Sequence, residues 1–345
     1  MTSVQRRHLV TLGMFIIDEF TFLDDIKNHA GRTADPQIGG GGTYATIGAR
    51  MWLSPNQLGM IVDRGNDFPP DIQEKLDSYG QDMWLYRDHE SRGTTRARNI
   101  YKGEERGFEY LTPRIRLTPK DLQNTKLDRP SLIHFICSPT RAGAIISEVD
   151  AIQGWKPITV YEPIPDRCIP EELPALISVL PSISILSPNA DEALSLLSIT
   201  EPVSKAVVEE AASRFLELGV GEEGSGSVVI RSGHLGAYIA TRKRGGKWID
   251  AYWGVGNTDK VIDVTGAGNS FLGGLAAGLL LAQDDIYRAA MYGSVSASYI
   301  IEQQGLPNLT RQYSENGGVT ELWNGDSPTR RLGELERKIT GTNNS

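Results

Sequence analysis

The sequence predicts an α/β protein with a mostly parallel central sheet, helices on both of its faces and a small β lid. Three observations predict it. Short runs rich in Val, Ile and Leu recur along the chain, segments with helical spacing lie between most of them, and one Thr-, Tyr- and Phe-containing stretch breaks the alternation. The first run, 9–17, follows Arg6 and Arg7 as a secretory signal would, but Asp18 and Glu19 stand where a small-residue cleavage site belongs, so it reads as the first buried strand. Helical spacing follows at 43–53, an apolar strand at 58–62 and a helix at 70–79. Between Gly93 and Thr112, the residues Thr94, Thr95, Ile100, Tyr101, Phe108 and Tyr110 favour strands around a polar turn at 102–107, which describes an exposed flap.

Strand and helix then alternate as 132–137, 140–152, 158–161, 171–180, 183–186 and 190–197, with a further helix at 204–218. A Gly- and Glu-rich loop at 221–227 leads into a hairpin-like region, 228–240 and 247–252, turning at Arg244-Gly245-Gly246. Helices at 267–282 and 285–302 close the domain. The polar residues 326–345, with one short helix candidate at 328–339, are expected to form a fraying tail.

With 345 residues, 39% of them hydrophobic, the chain has the composition of a folded protein and not of a disordered one. Its net charge of −8 argues against a nucleic-acid or anionic-membrane surface. Cys137 and Cys168 are its two cysteines, without CxxC spacing, so a reducing, cytoplasmic setting is expected and a structural zinc site is not. The longest later apolar stretch, 271–282, is too short to span a bilayer.

The most informative segment is Asp263-Val264-Thr265-Gly266-Ala267-Gly268-Asn269-Ser270-Phe271, which runs directly into an apolar helix. Gly-Ala-Gly at a helix start leaves accessible backbone N–H groups in the positive potential of the helix dipole, an anion hole. The same residues would also suit a glycine-softened cap over a tight packing contact. Asn189 and Glu192 pose a similar choice: their spacing is that of a capping box, and also of two oxygen donors on one helix turn. Gly40-x-Gly42-x-x-Ala45 imitates a dinucleotide fingerprint but follows Asp35-Pro36-Gln37 and no strand, and no Walker lysine follows any glycine loop.

The segment 263–271 resembles the D-x-T-G-A-G-D signature of the ribokinase, or PfkB-type, sugar kinases. Glu162-Pro163-Ile164-Pro165 is similar to that family's N-P-x-P element, and Pro188-Asn189-Ala190-Asp191-Glu192 matches its P-N-x-x-E motif. Arg231-Ser232-Gly233-His234-Leu235-Gly236 resembles its T-x-G-x-x-G turn, and Gly39 to Ala45 lies where the family has a G-G-x-x-A-N substrate loop. The landmarks fall in the family's order over roughly residues 8–305, and the combination with Gly-Ala-Gly-Asn and Tyr-Glu-Pro-Ile-Pro-Asp resembles a fungal branch of it.

The resemblance implies a three-layer αβα sandwich over 1–325, with lid segments near 18–37 and 90–113. It implies transfer of the γ-phosphoryl group of ATP to a hydroxyl of a sugar, nucleoside or similar small molecule. Gly266, Ala267 and Gly268 would face the γ-phosphate; Asn189, Arg231, Gly233, Asp263 and Thr265 would border the nucleotide. Asn189 and Glu192 would hold Mg²⁺ through water, and Asp263 and Thr265 would lie near a K⁺ site. Asp18, Gly40, Gly41, Tyr44 and Glu162 would meet the substrate, and the flap would close over it or pair two copies as a homodimer.

Two departures bear on activity. Asn269 stands where the family places an Asp as general base, and an amide has no basic form near neutral pH. Tyr44, in the glycine-rich loop, can stack on or hydrogen-bond a ring, or simply fill the pocket as a core aromatic. Glu162 and Asp18 are expected to make a mildly acidic rim, unfavourable for an anionic substrate. Besides a kinase, the sequence therefore admits a binding or scaffold protein that has lost catalysis, and a different transfer reaction on a phosphorylated substrate.

Overall fold

The computed structural model describes residues 8–22, 32–102, 105–314 and 318–341. In chain order its strands and helices are β1 (Leu9–Thr11), β2 (Ile16–Phe22), β3 (Arg32–Gly39), α1 (Gly41–Arg50), β4 (Leu58–Gly65), α2 (Pro70–Tyr79), β5 (Trp84–His89), β6 (Arg96–Lys102) and β7 (Glu105–Tyr110). After these come β8 (Leu132–Cys137), α3 (Pro139–Asp150), β9 (Ile158–Pro163), α4 (Leu173–Val179), β10 (Ile185–Leu186), α5 (Ala190–Leu196) and α6 (Lys205–Leu218). The last part holds β11 (Ser227–Arg231), β12 (Ala237–Thr241), β13 (Gly245–Ile249), α7 (Ala267–Leu281), α8 (Ile286–Ile300), β14 (Leu309–Tyr313), β15 (Val319–Trp323) and α9 (Pro328–Thr340).

Among the described residues, nine strands form one sheet in the order β13-β12-β11-β10-β9-β8-β1-β4-β5, parallel from β11 to β5 and closed at one edge by the antiparallel meander β11-β12-β13. Successive side chains point to opposite faces. Leu9, Met60, Leu132, Val160, Ile185 and Val229 therefore pack in one core with α1, α7 and α8, whereas Val10, Ile61, Ile133, Tyr161, Leu186 and Val228 join α3, α4, α5 and α6 in the other. These are the three layers of the expected sandwich. A separate four-stranded sheet, β3-β2-β6-β7, lies over the site as a lid, although residues 23–31 and 103–104, within the expected lid segments, are outside the described part.

The apolar run 9–17 is not one strand. It breaks at residues 12–15, so that β1 belongs to the central sheet and β2 to the lid, and Asp18 sits inside the lid strand instead of at the end of the first one. Both halves are buried, so composition alone carries no mark of the break.

The expected fraying tail is also different over residues 326–341; its last residues, 342–345, lie outside the described part. Ser327 caps α9 by accepting the Arg330 N–H at 3.4 Å, and Leu332 and Leu335 are buried in the first core. Arg331, 5% exposed at its side chain, lies over the Tyr299 ring at 3.7 Å and pairs with Glu302 at 2.7 Å and Asp326 at 2.8 Å. A polar composition conceals this docking because its anchor is a buried cation among aromatic rings. Cys137 and Cys168 are buried free thiols, and no described helix is long and apolar enough to cross a membrane.

Candidate active site

At the start of α7, Asp263 Oδ1 accepts the Thr265 N–H at 2.9 Å, and the chain then turns through Gly266 in the left-handed region, with φ at 79°. The Ala267 N–H is spent on the Val264 carbonyl at 3.2 Å. Gly266, as N-cap, has no side chain to offer, so the next N–H groups, of Gly268 and Asn269, stay uncapped by any side chain and open on the cleft. A methyl group on Gly266 would overlap the Tyr44 ring, and one on Gly268 would overlap the Arg231 guanidinium. The glycines thus serve the helix terminus and a tight packing contact together. Tyr44 is buried and backs the turn.

Below that terminus lies a buried charge network. Glu162, at the end of β9, pairs through Oε1 with Arg231 Nη1 at 2.7 Å, while its Oε2 accepts from Asn269 Nδ2 at 2.8 Å. His134 Nε2, on β8, lies 3.4 Å from the same Oε2, and His134 Nδ1 shares a 3.0 Å hydrogen bond with Thr11 Oγ1 on β1. Burial pushes the Glu162 carboxyl up, but Arg231, His134 and Asn269 together outweigh it and hold the group below the usual carboxylate range. Thr11 and His134 face each other across β1 and β8, where the sheet order reverses, the position at which open α/β sheets bind ligands.

Asn189 and Glu192 form the capping box: Asn189 Oδ1 accepts the Glu192 N–H at 2.8 Å and Glu192 Oε2 accepts the Asn189 N–H at 2.7 Å. Glu192 is buried, with Arg231 Nη2 at 3.6 Å, and burial pushes its carboxyl up to about 7 against that neighbour. A buried carboxylate so poorly compensated suits a hydrated divalent cation, and nucleotide phosphates would supply the remaining oxygens. Mg²⁺ therefore fits at Glu192, whereas the Asn189 amide is committed to the cap.

Glu162, Asn189, Glu192, Arg231, Gly268 and Asn269 line one cleft of about 1500 Å³ that also includes Asp18, Gly40, Gly41, Tyr44, Gly233 and Thr265, whereas Thr11 and His134 lie behind its wall. Asp263 is the one expected site residue that does not reach its wall, because its carboxylate turns back on Thr265. The Thr265 hydroxyl is buried without a hydrogen-bond partner among the described residues. On the lid side the wall adds Asn99, Tyr110 and Arg114, the last over the Tyr110 ring at 4.6 Å. Burial raises the Tyr110 hydroxyl, with Arg114 opposing and Asp18 and Asp166 reinforcing the shift.

The expected acidic rim is a wall of mixed charge: Glu162 is at the base of the cleft and neutralised by Arg231, while Arg114, Arg116 and Arg141 share the walls with Asp18, Glu109 and Asp166. Sequence reasoning missed Thr11, His134, Asn99 and the arginines. The available signal was His134, a polar residue inside an otherwise apolar strand.

A family model described as pfkB family carbohydrate kinase matches residues 138–311. An uncharacterized protein of Schizosaccharomyces pombe is 36% identical over 344 residues, covering 94% of this chain and 91% of that one. MAK32 of Saccharomyces cerevisiae is 35% identical over 346 residues, covering 94% and 90%. An Arabidopsis thaliana ribokinase complexed with ribose and ATP superposes with a TM-score of 0.64 at 17% identity, over 87% of this chain and 94% of the other. An E. coli ribokinase II candidate complexed with ATP and Mg²⁺ superposes with a TM-score of 0.63 at 19% identity, over 97% and 99%. The last two show the ribokinase fold. With half its length matched by the family model and relatives above 30% identity along nearly all of it, the chain belongs to the PfkB family of carbohydrate kinases.

Proposed function

We propose that the chain is an ATP-dependent phosphotransferase acting on a hydroxyl of a sugar, nucleoside or related small molecule. The observation that carries this reading is the uncapped N-terminus of α7, opening on a cleft with Arg231 directly beneath Gly268. In phosphoryl transfer the protein chiefly positions the reactants and offsets charge on the transferred group. The N–H groups of Gly268 and Asn269 would receive the γ-phosphate, and Arg231 would add a guanidinium beside it. Asn189, Gly233 and Thr265 would border the nucleotide. Glu192 would hold Mg²⁺ through water, and the ion would neutralise charge on the phosphates. A K⁺ ion beside the turn of Asp263 and Thr265 belongs to the same proposal.

Asp18, Gly40 and Gly41 would meet the hydroxylated substrate, with Tyr44 as support behind them and the lid excluding water. Pairing of two lids in a homodimer is tested by sedimentation velocity: a monomer at high micromolar concentration rules it out. The function itself is tested by ADP release with Mg-ATP across a panel of sugars and nucleosides, wild type beside Asn269→Asp. Turnover in either supports the reading; none in both counts against it.

A second reading is a binding protein that keeps the nucleotide site without catalysis. It is favoured by Asn269, whose amide donates to Glu162 and has no proton-accepting form. It entails stabilisation by ATP without turnover, because a ligand that binds only the folded state raises its stability.

A further inference from the structure

At the α7 terminus the residue facing the acceptor, Asn269, cannot take a proton, yet a carboxylate lies one hydrogen bond behind it. Asn269 Nδ2 donates to Glu162 Oε2 at 2.8 Å, and Gly41, in the substrate loop, approaches so closely that a Cβ there would lie 3.0 Å from that same nitrogen. Relative to the motifs quoted above, amide and carboxylate have exchanged places: Glu162 for Asn, and Asn269 for Asp. Arg231 is a third departure, and its guanidinium bridges the two halves of the site, pairing with Glu162 Oε1 at 2.7 Å while lying against Gly268. Its Nε is buried without a hydrogen-bond partner among the described residues, so a donor stands ready beside the anion hole.

We propose that Glu162 is the group that takes the proton of the attacking hydroxyl, and that Arg231 moves from Glu162 to the transferred phosphoryl group when ATP is bound. The inference rests on the phosphotransfer reading above. A carboxylate offers about four lone-pair positions. Asn269 donates to Oε2, with His134 Nε2 3.4 Å from the same oxygen but not hydrogen-bonded to it, and departure of Arg231 frees Oε1 for the hydroxyl. The same departure removes the strongest influence that holds Glu162 acidic, so its basicity rises only when nucleotide is in place. The acceptor O–H bond breaks with its proton passing to Oε1, and the acceptor oxygen bonds the γ-phosphorus. The bond from that phosphorus to the bridging oxygen breaks with its electron pair leaving on ADP. The proton then passes to solvent as product departs, giving phosphorylated acceptor, ADP and one proton. Asn269 keeps the carboxylate oriented.

The test measures binding of a non-hydrolysable ATP analogue by calorimetry, and ADP release with Mg-ATP across the hydroxyl panel. The variants are Glu162→Gln, Glu162→Asp and the double exchange Glu162→Asn with Asn269→Asp. Glu162→Gln is expected to bind the analogue at least as tightly as wild type while turnover falls about 10²–10⁴-fold. Glu162→Asp, which keeps the charge opposite Arg231 and so the fold, is expected to lose roughly 100-fold through retraction of the carboxylate. Turnover within about threefold of wild type in either variant overturns the inference and leaves the kinase reading intact. An inactive wild type overturns it outright: if the double exchange is then active, phosphotransfer stands with the carboxylate introduced on α7 as its base, and if both are inactive, the phosphotransfer reading falls as well.

Discussion

Replacing Arg231 with Met removes the cation from the buried network and leaves two carboxylates behind. Glu162 is 7% exposed at its side chain and Arg231 11%, with 2.7 Å between them, and Glu192 Oε2 is 3.6 Å from the same guanidinium. Breaking a buried pair by removing one partner typically costs about 3–5 kcal/mol. With an unfolding entropy of roughly 2.1 cal/mol/K per residue, a chain of 345 residues loses about 1.4 °C of Tm per kcal/mol, so the expected fall is about 4–7 °C. The pH dependence is diagnostic. In wild type, Glu162 is held below its ordinary value of 4.5, so its contribution is present above that pH and lost as pH falls through the folded value. Without Arg231, burial governs both carboxyls and raises them, so they bind more protons folded than unfolded. The deficit is then largest near pH 8 and shrinks toward pH 5. Thermal melts followed by circular dichroism at several pH values read this directly, and the double variant Glu162→Gln with Arg231→Met should recover at least half of the loss. A Tm within about 1 °C of wild type at pH 8, or a deficit independent of pH, would refute the reasoning.

Three other outcomes follow from the same geometry. Glu192, raised to about 7 from 4.5, binds more proton folded than unfolded, so this site costs stability as pH rises between those values, by at most about 3 kcal/mol. Glu192→Gln should flatten that part of the pH–stability profile and weaken the Mg²⁺ dependence of ATP binding, and an unchanged profile counts against a buried, ionisable Glu192. Gly266→Ala meets both a positive φ and the Tyr44 ring, for a loss of about 2–5 kcal/mol in denaturant unfolding and at least tenfold in ATP affinity; wild-type behaviour would show that the turn is built differently. Arg331→Met removes the cation shared by Glu302, Asp326 and the Tyr299 ring and should cost about 3 kcal/mol while exposing α9 to limited proteolysis, whereas an unchanged cleavage pattern contradicts its role as the anchor.

Periodicity made much of the sandwich legible. The expected helix at 70–79 coincides with α2, where Pro70 opens the first turn and Gly80, at a φ of 130°, ends it, so the signals at both ends are local. The parallel strands were visible because burial on both faces leaves continuous apolar runs such as 132–137. What escaped was tertiary. Strand β5 is an edge strand with Arg87, Asp88 and His89 at its end, so it lacks the apolar run of its neighbours. The hairpin β14-β15 is held by contacts distant in sequence, with Trp323 stacked on Tyr79 at 5.7 Å and Glu321 paired with the buried Arg50 at 2.5 Å. At the site, motif spacing brought attention to Glu162, Arg231 and Asn269 one at a time. Their mutual pairing, and the support of His134 and Thr11, depends on strands β1, β8, β9, β10 and β11 following one another across the sheet, which no local pattern encodes.

The central claim is that the α7 terminus receives the phosphates of ATP, and isothermal titration of the full chain with ATP and Mg²⁺ tests it most directly. The account calls for saturable one-to-one binding in wild type, abolished in Gly268→Asp, which puts a carboxylate where the phosphate would sit and collides with Arg231. Absence of binding by wild type at millimolar ATP, or equal binding by the two proteins, would contradict it.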